Sequence, residues 1–100
     1  MTGSNGSNTR EEKMALVDKI VRHYITHVGG KQFAIRPFVE VLNEPMKQQG
    51  FNGFSHQVIH NWMNRRNLPG EKIMLLQHCA EKDTDSWQYK FACDILKATG

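Results

Sequence analysis

The sequence predicts an all-α domain, a bundle of five helices. Apolar residues recur at the 3.6-residue helical period through most of the chain, and no alternating strand pattern interrupts them. Helix start and stop signals fall at the edges of those periodic stretches. One hundred residues make one domain with a modest core.

The elements follow in order. Residues 1–9 are Gly, Ser, Asn and Thr apart from Met1, and read as a flexible N-terminal arm before a folded domain over 10–100. The first helix is expected from Arg10 to Val28. Thr9 and Glu12 have the spacing of a capping box, Met14, Val17, Ile20, Val21, Tyr24, Ile25 and Val28 form the stripe, and Gly29-Gly30 stops it. The second is expected from Ile35 or Arg36 to Asn43, with Pro37 in its first turn and Phe38, Val41 and Leu42 facing the core. The third should run from Ser55 to Asn67, the fourth from Gly70 to Lys82 around Ile73, Leu76 and Ala80. The fifth should begin near Asp83 or Thr84 and reach Ala98, with Trp87, Phe91, Ile95 and Leu96 at helical spacing.

The third helix carries the functional signal. Ser55 suits an N-cap, and Pro69 cannot continue a helix. At 100° steps from Val58, Ile59 falls at roughly 100° and Trp62 at roughly 40°, on one face. Gln57, His60, Asn61 and Asn64 fall between roughly 200° and 300°, on the other. That outer face holds amides and an imidazole and no acid. Asn and Gln can pair bidentately with an adenine edge, so these four residues are the expected base readers. Arg65 and Arg66 follow at the helix end, where positive charge suits both the helix dipole and a phosphate.

Phe54-Ser55, Ile59, Trp62, Asn64, Arg66 and Pro69 occupy the places of a pattern. The segment from Phe54 to Pro69 resembles the recognition segment of the Cro/C1-type (XRE-like) helix-turn-helix repressor family. The resemblance implies a lambda-repressor-like fold, with the second and third helices as the helix-turn-helix. It implies double-stranded DNA as partner and a transcriptional regulator of bacterial or phage type. It extends over most of the domain in helix order, but in residues only over Phe54–Pro69. Phosphates would be held by Lys31, Ser55, His56, Arg65 and Arg66.

Three departures from the family pattern stand out. Ten residues, Glu44 to Gly53, are extra between the two reading helices. They either splay those helices or bulge away from them. Pro45 can start a helical turn there that Gly50 stops, and Phe51 and Phe54 are expected to pin the loop to the core. Arg65 stands where the family has a helix-ending Gly, which predicts one more helical turn. Ile35 lies near the family's phosphate-binding Gln, so Lys31, Gln32 or Arg36 would serve instead.

Charge is asymmetric in the same sense. Lys31 to Pro69 holds five bases against two acids, whereas Glu81 to Gly100 holds three lysines against four acids. A basic half fits one surface facing phosphates. No apolar run reaches the length of a membrane span. Cys79 and Cys93 form no disulfide framework, read as inert thiols, and favour a reduced cytoplasm.

Competing chemistry is thin. His23/His27 and His56/His60 stand four apart and can share a helix face, but a structural zinc site needs about two more ligands. No metal or cofactor is expected, and no acid pair, phosphate loop or nucleophile arrangement points to an enzyme. Two further possibilities belong to other classes. The chain can be a helical protein–protein interaction module with a degenerate helix-turn-helix, which an exposed apolar patch around Met46, Phe51 and Phe54 would favour. The C-terminal helix, with its broad aromatic stripe, is also a candidate homodimer interface.

Overall fold

The computed structural model describes residues 9–29 and 35–100. Lys31 and residues 1–8 of the expected arm lie outside the described residues. Among those described the chain is an all-α bundle without strands. Its helices are α1 (Arg10–Gly29), α2 (Ile35–Leu42), α3 (Glu44–Gln48), α4 (His56–Met63), α5 (Lys72–Ala80) and α6 (Trp87–Thr99). Five are those expected, and α3 is the helical turn of the insertion.

α1 begins with the reciprocal cap its sequence announced. Thr9 Oγ1 accepts the Glu12 N–H at 3.1 Å, and Glu12 Oε1 accepts the Thr9 N–H at 3.2 Å. Val17, Val21, Tyr24 and Ile25 are buried along one face, which packs on α2, α4 and α6. In α2 the buried residues are Phe38, Val39 and Leu42. Val39 therefore replaces Val41, which is only half-buried. Both flank the Phe38–Leu42 line by helical angle, and α2 packs on α1 and α4.

α5 starts later than expected, because Gly70 and Glu71 form the turn that enters it. α6 also starts later. Asp83 Oδ1 accepts the Asp85 N–H at 3.1 Å, a local turn that competes with helix, and Ser86 then caps by accepting the Tyr89 N–H at 3.3 Å. α6 lies along α5 and α1. Its aromatic stripe is used inside the chain. Phe91 meets Tyr24 and Phe38 edge-on at centroid distances of 5.2 and 5.6 Å, and Trp87 lies 5.2 Å from Phe38.

Cys79 is buried and Cys93 half-buried, and both are free thiols. Burial pushes the Cys79 thiol up, which disfavours the thiolate. No helix among the described residues is long and apolar enough to cross a membrane.

Candidate nucleic-acid interface

The ten residues from Glu44 to Gly53 form an excursion between α2 and α4, which remain in contact with each other. Its two ends are Asn43 and Phe54, and a single side chain ties them. Asn43 Nδ2 donates to the Phe54 carbonyl at 2.8 Å, and the Phe54 N–H donates to Asn43 Oδ1 at 2.7 Å. Asn43 is buried, so both bonds are shielded from water. Gly53 lies against this clamp so closely that a Cβ there would sit 2.2 Å from Asn43 Cγ. Inside the bulge, α3 buries Met46 against α5. The turn after it closes at Gly50, whose φ of 84° is left-handed, with the Phe51 N–H reaching back to the Met46 carbonyl at 2.9 Å. Met46 and Phe54 pin the loop. Phe51, expected to share that task, is 44% exposed.

The chain leaves the clamp directly into α4. Ser55 is extended, and its Oγ accepts the Val58 N–H at 3.3 Å, as an N-cap should. Ile59, Trp62 and Met63 are buried, and Trp62 stacks edge-on against Phe54 at 5.3 Å. The opposite face turns outward: Gln57, His60 and Asn64 are exposed and Asn61 is half-buried. Gln57 Nε2 donates to Asn61 Oδ1 at 3.1 Å, so two of the base-reading candidates hold each other one turn apart.

Arg65 corrects the expectation of an added turn. The helix stops at Met63, four residues before the expected Asn67, and Arg65 itself adopts φ of 56°. The Arg66 N–H bonds the Asn61 carbonyl at 2.9 Å and the Arg65 N–H bonds the Trp62 carbonyl at 3.3 Å. This is the Schellman closure, with Arg where Gly is usual. Continuing the helix could reach Asn67 at most, because Pro69 disfavours helical geometry at Leu68. Arg65 is then tied back to α1: its Nε lies 3.4 Å from Asp18 Oδ2, and Asp18 also pairs with Arg22. Its charge is thus shared with a carboxylate. Arg66 is exposed and forms no ion pair among the described residues, so it is the stronger phosphate candidate. His56 is exposed in the first turn of α4, beside Ser55.

An open groove runs beside α4. It encloses about 680 Å³ and is lined by Arg10, Gly53, Phe54, Ser55, Val58, Asn61, Trp62, Asn67, Leu68, Gly70 and Lys72. Two cations and no acid border it. Neither Arg10 nor Lys72 was singled out from the sequence. Each is the first residue of its helix, where the dipole disfavours positive charge, and that local conflict is the signal that marks them. Asp18 and Asn43 were also missed, since a polar residue at a helical position reads as solvent-facing until its partner is known.

The His23 and His27 rings stack in parallel at 6.2 Å on an exposed face, but no three His, Cys, Asp or Glu side chains gather around a metal position among the described residues. No protein-family model matches the chain, and no curated protein or solved structure matches it.

Proposed function

We propose that this domain binds double-stranded DNA sequence-specifically, with α4 in the major groove, as a repressor-like transcriptional regulator of bacterial or phage type. The observation that carries the reading is the outer face of α4. Gln57, His60 and Asn61 project from a helix whose other face is buried, Asn64 follows as its exposed C-cap, and no carboxylate lies between Ser55 and Asn67. Four fixings hold that helix in place: the Asn43 clamp, the Ser55 cap, the Trp62 anchor and the Arg65 tether. A fixed helix loses less entropy on binding, which favours base reading over loose phosphate contact. Eight residues span about 12 Å, comparable with the roughly 12 Å width of the major groove.

Arg66 and His56 bracket the two ends of α4 as phosphate contacts, with Ser55 able to donate its hydroxyl proton while it caps. The interaction-module reading draws little support, because Met46 and Phe54 are buried and only Phe51 of that patch is exposed. Homodimerisation through α6 draws less than its sequence promised. Phe91 and Ile95 are enclosed in the single chain, leaving Trp87, Tyr89, Cys93 and Leu96 half-exposed.

The test is a fluorescence-anisotropy titration of mixed-sequence duplex DNA at several salt concentrations. The reading expects binding that weakens with salt, with a log–log slope of about 0.9 per phosphate contacted. Absence of binding at low salt would refute it.

A further inference from the structure

An open groove lies beside α4. Its volume, about 680 Å³, lies inside the range of small-molecule sites, roughly 300–1,000 Å³. The geometry points to a binding site for a small organic anion with a flat apolar body, of the aromatic carboxylate class.

Three features define that class. Half-buried Val58 and Leu68 line the groove beside the largely covered Phe54 and Trp62, a surface that an apolar body can cover. Arg10 and Lys72 come from separate helices and border a groove whose lining holds no acid, so a negatively charged ligand suits it. Lys72 Nζ spends one proton on the Gly53 carbonyl, at 3.2 Å, and has two left to donate. Asn61 and Asn67 supply the few directional polar groups such a site uses.

Other occupants fit less well. A DNA phosphate has no apolar body to cover Val58 and Leu68. Residues 1–9 of the chain contain one apolar side chain, Met1, and no acid, so they complement neither the apolar lining nor the cations. Asn61 belongs both to this groove and to the outer face of α4, so an occupied groove would alter one of the proposed base readers.

The probe is 2-naphthoate, with 2-naphthamide as its uncharged isostere, titrated into the full chain and followed by amide nitrogen–proton NMR shifts. The expected result is saturable shifts concentrated at Val58, Asn61, Asn67 and Leu68, with Kd on the order of a millimolar or tighter. The amide should bind about fivefold or more weakly, and Arg10→Gln and Lys72→Gln should each weaken naphthoate about threefold to tenfold. Arg10 is exposed and forms no ion pair among the described residues, so its variant keeps the fold. Lys82→Gln, away from the groove, should change nothing. Equal affinity for naphthoate and naphthamide, shifts scattered over the surface, or no shifts would overturn the proposal. The titration contains no DNA, so its outcome is separate from that of the DNA reading.

Discussion

Asn43 and Phe54 stand eleven positions apart and are joined by two hydrogen bonds, one in each direction, across the neck of the insertion. The side-chain amide imitates a backbone partner, supplying a donor and an acceptor to one residue. It holds the two ends of the Glu44–Gly53 excursion together at the start of α4.

Removing that amide should be costly. Asn43→Ala leaves the Phe54 N–H and C=O without their partner, at a cost on the order of 2–4 kcal/mol. Gly53→Ala places a methyl 2.2 Å from Asn43 Cγ, and should lose about 1–3 kcal/mol through forced displacement of the clamp. The double variant should cost less than the sum, because each change damages the same contact. Urea midpoints of the three variants check this. A Gly53→Ala midpoint equal to that of the parent would contradict the clamp.

Trp62 is the core anchor of α4, 3% exposed and set against Phe54. Trp62→Ala should cost on the order of 3–5 kcal/mol by opening a cavity under the helix. A midpoint near that of the parent would show that the burial is not as described.

Arg65 tests the helix end. A non-glycine residue at φ of 56° costs about 1–2 kcal/mol in the left-handed region, and its half-exposed pairing with Asp18 returns about 0–1 kcal/mol. Arg65→Gly should therefore be neutral or stabilising by up to about 1–2 kcal/mol. Arg65→Val, β-branched at the same φ, should be destabilising. Thermal melts of the pair decide it, and a destabilised Gly variant beside an unaffected Val variant would contradict the left-handed assignment.

Alkaline pH gives a separate handle. Tyr24 donates its hydroxyl to Asp94 Oδ2 at 2.7 Å. Burial first, then that hydrogen bond and the carboxylate charge, hold its phenol well above the ordinary tyrosine range. The folded state keeps the proton while the unfolded chain releases it near about pH 10. Stability is therefore complete below about pH 10 and falls as pH rises beyond it. The raised Cys79 thiol adds a fall in the same direction, starting from the ordinary thiol range. Tyr24→Phe should be less stable than the parent at neutral pH and lose less on going to about pH 11. Parallel pH profiles for the two proteins would contradict the assignment.

Helix existence was legible because it rests on local physics: period, caps and breakers. Thr9 with Glu12 and Ser55 before α4 formed the caps their spacing announced. What was not legible depended on distant partners. Asn43 reads as a helix end until Phe54 is beside it, and Asp18 reads as a solvated acid until Arg22 and Arg65 converge on it. Arg65 defeated a propensity rule, since the hydrogen bonds of the closure hold a residue where glycine is the usual choice. The outward amides of α4 followed from helical angle alone. The groove did not, because it is assembled from α1, α4 and the entry to α5.

The same contrast shapes the electrostatic prediction. Arg66→Glu should weaken binding to every duplex alike and flatten the log–log salt slope by about 0.9 for each phosphate lost. Arg65→Glu should do less to the slope and more to stability, since it sets a carboxylate against Asp18. Arg66→Glu with an unchanged slope would make that arginine a solvated side chain.

The most direct test of base reading by α4 compares a selected duplex with random DNA for Gln57→Ala and Asn61→Ala. The two side chains hold each other at 3.1 Å, so their double variant should cost less than the two singles added. Each single variant should lose roughly 1–3 kcal/mol on the selected site and little on random sequence. Equal losses on both kinds of DNA, or no loss on either, would contradict the assignment of this face to base reading.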